Sequence, residues 1–313
     1  MIYIYKTDDH IIRTLDTIED GVWINMVNPT YEESRRVAEE LDIDIEDIRA
    51  SLDEEESSRI DLNEGYTLIL VDIPSTEIRH EHEAYTTLPL GIILTQDIII
   101  TICSENTSII SSFANKRVRE FSTKKKMRFV YQILLRTSML YQTELRIIDK
   151  KRTEIEERVG SKTEDADLID LHELESTLVY FATSLRSNRV VLERLSHYKR
   201  LKQYPEDIEL LEDVIVENQQ AIEMTAIYRD IINGTRELMS SIMNSRLNNV
   251  MKYLTSITLV MAFPTVVSGL YGMNVDAGGM PFSDSPYGFP LICLFTIMIC
   301  VIVFIWLKKN KML

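Results

Sequence analysis

Residues 253–275 read YLTSITLVMAFPTVVSGLYGMNV, and no charged residue falls between Lys252 and Asp276. Residues 289–307, FPLICLFTIMICVIVFIWL, follow after a short loop and are also free of charge. A helix needs about 20 such residues to cross the hydrocarbon core of a bilayer. The two runs therefore predict two spanning helices, because core helices of globular proteins rarely run this far without a charge. The first run is the more polar, holding Thr255, Ser256, Thr258, Thr265 and Ser268. A weakly apolar span beside a strongly apolar one predicts a division of labour. One faces protein or water and the other faces lipid.

Charge sharpens the picture. The chain has 313 residues, 34 Lys+Arg and 49 Asp+Glu, for a net charge of −15. From Arg246 onward five basic residues face two acidic ones, so this tail carries +3 and residues 1–245 carry −18. The mean hydropathy of −0.06 hides that split. An acidic body repels phosphates, which excludes nucleic acid as the main partner. Arg246 and Lys252 precede the first span, Lys308, Lys309 and Lys311 follow the second, and the loop between has no Lys or Arg. The positive-inside rule then puts both termini in the cytoplasm, in a multi-pass protein of the plasma membrane. Asp8, Asp9 and His10 interrupt any apolar leader. Three cysteines, Cys103, Cys293 and Cys300, are too few for a disulfide framework and fit a reducing compartment.

The body divides in two by pattern. Residues 1–120 read as α/β, with β-rich runs at Ile2–Tyr5, Val22–Asn25, Tyr66–Ile73, Leu88–Leu94 and Ile98–Cys103. Thr95-Gln96-Asp97 reads as a hairpin turn, and Asp53–Glu56 as a solvated loop. Thr30 and Glu33 form a capping box ahead of a helix, and a short helix is expected over Asp44–Leu52. Residues 121–205 read as a helical hairpin, Lys124–Val159 and Asp165–Gln203, parted at Gly160-Ser161. Pro205 suits the first turn of the next helix, and no further proline comes before Pro264. One stalk helix over residues 206–275 would thus continue into the first span, rising about 95 Å between Glu206 and Leu270. An outer loop at 276–288 and a second span with a basic tail at 289–313 complete the order. A helix this long cannot bury itself in one small domain and implies partners, copies of itself among them.

Asn248, Met251, Leu254 or Thr255, Thr258, Ala262 and Thr265 recur at steps of three to four and share one helix face. Small and hydroxylated residues there could pack helices in lipid or line a narrow wet pore. The pattern alone fits both.

At the outer end of the first span stands Tyr271-Gly272-Met273-Asn274. Placed between two terminal spans with a lysine tail, it resembles the CorA-type magnesium transporter family. Residues 248–255, NNVMKYLT, resemble that family's entry to the pore helix, and Tyr228-Arg229-Asp230-Ile231 a piece of its stalk. The order of elements agrees along the whole chain. The resemblance implies a channel-like homopentamer in a lipid bilayer, five first spans lining the pore. It implies a selectivity filter of Gly272, Met273 and Asn274, and pore-lining Asn248, Met251, Leu254, Thr258, Ala262, Thr265 and, lower down, Glu237. Asp276 in the outer loop would attract cations. Leu254 and Met251 would form the hydrophobic constriction. Related proteins often have a bulky residue where Ala262 sits and a proline where Phe263 sits, whereas here the proline is Pro264 and Met261 could supply the bulk.

The physical logic is that Mg²⁺ gives up its water shell reluctantly. A filter of amide and carbonyl oxygens accepts hydrogen bonds from that shell without stripping it. The resemblance also implies that cytoplasmic Mg²⁺, both cargo and regulator, binds between subunits and closes the channel, with Asp213 and Glu77 at the matching positions and Glu81 or Asp72 as alternatives to Glu77. Two carboxylates about 5 Å apart repel by about 3 kcal/mol at an effective dielectric of 20, and a divalent ion reverses the sign. No nucleotide loop, dinucleotide fingerprint, zincin motif or nucleophile elbow is present. No organic cofactor and no enzymatic activity are therefore expected, and flux would be passive, driven by the membrane potential. His80-Glu81-His82 reads as a solvated loop and Lys124-Lys125-Lys126 as a solvated or salt-bridged cluster. Two alternatives stay open: transport of Co²⁺, Ni²⁺ or Zn²⁺, and a membrane-anchored acidic sensor or scaffold.

Overall fold

The computed structural model describes residues 1–8, 11–79, 82–115, 117–118, 120–159, 165–200, 204–274, 279–282 and 285–310. The expectations for His80, Glu81, Gly160-Ser161, Asp276 and Lys311 lie outside these residues. The chain forms two compact units, Met1–Arg236 and Glu237–Leu313.

The first unit is built on a seven-stranded sheet. Its strands are β1 (Ile2–Asp8), β2 (Ile11–Leu15), β3 (Trp23–Val27), β4 (Arg59–Leu62), β5 (Tyr66–Arg79), β6 (His82–Thr95) and β7 (Ile99–Cys103), in the order β2-β1-β3-β7-β6-β5-β4. Among the described residues only β3 and β7 pair in parallel. Both faces are covered, so the central strands read as continuous apolar runs and not as alternating ones. Along β3, Trp23 enters one core and Ile24 the other, and Ile92 and Ile93 on β6 divide the same way. One core holds residues of α1 (Tyr31–Leu41) and α2 (Ile45–Ala50). The other holds residues of α3 (Ser108–Ala114), α4 (Lys126–Val159), α5 (Asp165–Ser196) and the start of α6 (Pro205–Tyr271). Trp23 anchors that second core, with Phe129 5.0 Å away and Phe121 5.9 Å away, both edge-on. Its indole N–H donates to Thr101 Oγ1 at 2.8 Å, so the buried polar tip is satisfied.

Local signals act as their chemistry dictates. Thr30 Oγ1 accepts from Glu33 N at 3.2 Å, and Thr30 N donates to Glu33 Oε2 at 2.9 Å, completing the capping box of α1. Thr95 Oγ1 accepts from Ile98 N at 2.9 Å and holds the β6–β7 turn. Lys124 and Lys125 are exposed, as expected, and Lys126 differs from expectation. Lys126 Nζ donates to the carbonyls of Thr95 and Gln96, and Lys125 sits 5.6 Å from the Tyr204 ring centroid. The side chain of Lys126 is thus held by turn oxygens and not simply by water.

The strands β2 and β4 were not legible in the sequence, and β5 and β6 run well beyond the expected segments. Pro74 and Pro89 lie within these two strands. The structure shows why both are tolerated. Asp72 N donates sideways to Asn188, away from β6, so Pro74, two residues on, also turns its nitrogen away from β6. β4 has already stopped pairing at Leu70, so no ladder bond is lost there. Pro89 opposes Asp72 and so faces the β7 side, where pairing begins only at Leu90.

The second unit contains the C-terminal part of α6 and α7 (Gly288–Lys309). Both helices are long and apolar enough to cross a membrane. Pro264 lies inside α6 and cannot donate to the carbonyl of Val260. Cys300 on α7 supplies a substitute donor, its Sγ 3.7 Å from that oxygen. This is how a proline is accommodated where no water can serve.

Candidate functional site

The face of α6 that meets α7 is set by Val260, Pro264 and Val267, which line an apolar groove of about 590 Å³ together with Ile292, Cys293 and Thr296 of α7. Ser256 and Leu307 are fully buried in the same unit. A period of 3.6 residues carries Met251, Leu254, Thr258, Ala262 and Thr265 to the other side of α6. Each of them is exposed, as are Asn248 and Glu237, with Met251 at 52% and Leu254 at 58%. The polar stripe therefore lies on the side of α6 turned away from α7.

Its hydroxyls have a particular electronic character. Thr255, Thr258 and Thr265 donate to the carbonyls of Met251, Leu254 and Met261 at 2.8, 2.8 and 3.0 Å. A hydroxyl has one proton to give, and here it is spent on the helix. What each presents outward is an oxygen lone pair. That suits a partner made of donors, such as the water shell of a cation.

At the outer end α6 stops at Tyr271. Gly272 N still donates to Ser268 O at 2.9 Å, and Met273 N to Leu270 O at 3.4 Å. A Cβ at Gly272 would lie 3.1 Å from Ser268 O, so a small residue eases this last turn. Asn274 follows, fully outside the helix and exposed, with the Gly272 and Met273 carbonyls beside it in the chain. The stripe and the Gly-Met-Asn segment thus share one helix and its end.

The two regulatory candidates lie in the first unit. Asp213 is exposed on α6, and Glu77 is half-buried on β5 opposite Ala84. Among the described residues no three His, Cys, Asp or Glu side chains converge as a metal site within one chain.

Sequence reasoning missed a polar clasp at the root of the sheet. Where β4 ends, Asn188 of α5 takes its place beside β5. Its Oδ1 accepts from Asp72 N at 2.9 Å, its Nδ2 donates to Asp72 O at 2.7 Å, and Ser58 Oγ donates to the same Oδ1 at 3.0 Å. Tyr141 OH adds a bond to Asp72 O at 3.2 Å. Burial pushes the Asp72 carboxyl up, an effect that hydrogen bonds from Ser184 and Ser58 oppose. Burial also pushes Tyr141 well above its usual range. Nothing in the sequence pattern marks Asn188 on a helix as a strand surrogate.

Comparison with known proteins bears on all of this. The model of the CorA-like Mg²⁺ transporter protein family matches residues 19–309. The chain is 30% identical over 299 residues to the cobalt/magnesium transport protein CorA of Methanocaldococcus jannaschii, covering 92% of this chain and 90% of that one. It is 24% identical over 326 residues to the magnesium transport protein CorA of Wolinella succinogenes, covering 96% and 94%. The complete structure of the CorA magnesium transporter from Methanocaldococcus jannaschii superimposes with a TM-score of 0.84 at 26% identity, covering 99% of this chain and 98% of that one. The chain belongs to the CorA-like Mg²⁺ transporter family and is a membrane transporter of divalent metal ions.

Proposed function

We propose that the protein is a passive Mg²⁺ channel for uptake, driven by the membrane potential and built as a homopentamer with both termini in the cytoplasm. The observation that carries this reading is the exposed stripe of α6. It faces away from α7, its threonine protons are spent on backbone carbonyls, and it ends at Asn274. Five such helices would enclose a pathway of acceptors for hydrated ions, with Asn248, Thr258 and Thr265 as polar rings. Met251 and Leu254 would narrow it by dewetting, with Ala262 between them and the outer mouth. Glu237 would form an acidic ring at the inner end.

Gly272, Met273 and Asn274 would be the filter, reading the first water shell. Asp276 would enrich cations at the mouth. A divalent ion gains about 4.6 kcal/mol per 100 mV, from roughly 2.3 per charge, so no other energy source is needed. Internal Mg²⁺ bridging Asp213 of one subunit and Glu77 of the next would favour the closed state, and its loss would release the stalks. This gives the surplus of 47 acids over 29 bases in residues 1–245 a role.

The relatives named for both cobalt and magnesium support a second cargo, Co²⁺. Flux into liposomes, measured side by side with Mg²⁺, Co²⁺, Ni²⁺ and Zn²⁺, tests the assignment. Mg²⁺ flux that grows with an inside-negative potential is expected. A potential-independent flux, or flux of Zn²⁺ alone, would overturn it.

A further inference from the structure

The Tyr of Tyr271-Gly272-Met273-Asn274 has so far been only a marker for the filter segment. The structure gives it a specific contact. Tyr271 is the last residue of α6, and its ring lines the groove beside Phe289 of α7. Its hydroxyl donates to the carbonyl of Pro281 at 2.9 Å, ten residues further on. That bond closes a ring of chain that contains Gly272, Met273 and Asn274.

The acceptor is itself held in place. Pro281 precedes Phe282, a non-glycine residue at φ 64°, a conformation that costs energy unless its surroundings enforce it. The enforcement is visible. Ser285 N donates to Phe282 O at 3.2 Å, and Gly288 N donates to Ser285 O at 2.9 Å. Gly288 is buried, and a Cβ there would lie 2.2 Å from Phe282 O, so only glycine permits this approach. The return arm of the loop is therefore seated on the start of α7, and the Tyr271 hydroxyl ties the filter arm to it.

We propose that Tyr271 is a positioning residue for ion entry, its hydroxyl clasping Pro281 so that the Asn274 amide is presented in a fixed place. The inference rests on the reading of Asn274 as part of the filter. A loop without the cross-tie has more conformations to give up when a hydrated ion engages the five amides. The cost falls on binding of the ion and not on its later passage. Tyrosine suits this task at a membrane surface, since its ring stays in the apolar groove while its hydroxyl reaches a polar partner.

The test is Mg²⁺ flux into liposomes holding the full-length protein, as a function of external Mg²⁺. Tyr271→Phe keeps the ring and deletes the clasp. It is expected to raise the half-saturating Mg²⁺ about 3- to 10-fold, the size of one net hydrogen bond, with maximal flux and assembly size unchanged. Gly288→Ala collides with the carbonyl of Phe282, the residue after the acceptor, and should move half-saturation in the same direction. A wild-type half-saturation in Tyr271→Phe would overturn the proposal. So would a fall in maximal flux or assembly with half-saturation unmoved, since that is the signature of a merely structural side chain. Asn274→Ala in parallel separates the two failures. If it transports normally, the filter reading falls and the clasp with it. If it is inactive while Tyr271→Phe matches wild type, the clasp alone falls.

Discussion

The two units of this chain handle apolar side chains in opposite ways. In the first, Trp23, Phe113, Phe129, Tyr131 and Tyr141 are within 1% of complete burial. In the second, Leu254, Phe289, Leu294, Ile297 and Trp306 stand exposed, Phe289 at 79%. Water would penalise such a surface, and a bilayer or further copies would not. The contrast teaches that the first unit encloses a core of its own, whereas the second is complete only in its surroundings. Substitutions should divide accordingly, into those that unfold the body and those that silence transport in an intact protein.

The largest effect expected falls in the second unit. Asn274→Ala should abolish Mg²⁺ flux into liposomes while the body melts at the wild-type temperature. Normal flux would remove Asn274 from the pathway. The mirror experiment is Phe129→Ala. It empties the centre of the aromatic cluster and should cost about 3–5 kcal/mol in unfolding of the body. An unchanged denaturation midpoint would mean that the cluster does not carry the body's stability.

Asp213→Lys probes whether the units communicate. The lysine supplies a fixed positive charge where an ion would sit, so inhibition of flux by internal Mg²⁺ should be blunted. An unchanged dose response would dismiss Asp213 as a sensor.

Asn188→Ala should cost about 1–3 kcal/mol, because it strands the backbone N–H of Asp72 and leaves its carbonyl to Tyr141 OH alone. The smallest effect is the most diagnostic in pH. Burial raises the folded-state affinity of Asp72 for its proton. Below its ordinary range the carboxyl is protonated in both states and imposes no penalty. As pH rises through the raised folded value, the unfolded state ionises more readily and stability is lost. Asp72→Asn should therefore raise the melting temperature at pH 7, and the gain should shrink at pH 4. An equal gain at both pH values would show that ionisation is not the cause.

What was legible in the sequence follows the same divide. The spans and the Tyr-Gly-Met-Asn segment could be read directly, because membrane burial is a property of consecutive residues. The capping box at Thr30 and the turn at Thr95 were also readable, since each is settled within four residues. The clasp by Asn188 and the donor that Cys300 offers to Val260 were not. Each joins positions far apart in the chain, 116 and 40 residues respectively. The extended β5–β6 hairpin was obscured for another reason. Whether a proline breaks a strand depends on whether the neighbouring strand has already ended, which no local pattern reports. The stripe on α6 was recognised, but that it lies on the side turned away from α7 could be read only with α7 in place.

One further consequence lies in the chain's two tryptophans. Trp23 is completely buried with its N–H engaged, while Trp306 on α7 is 56% exposed. Each unit therefore carries its own optical reporter. In vesicles of brominated phospholipid, Trp306 emission should be quenched and Trp23 emission retained. Fluorescence from a single unlabelled chain then reports folding of the body and immersion of the tail as two separate signals.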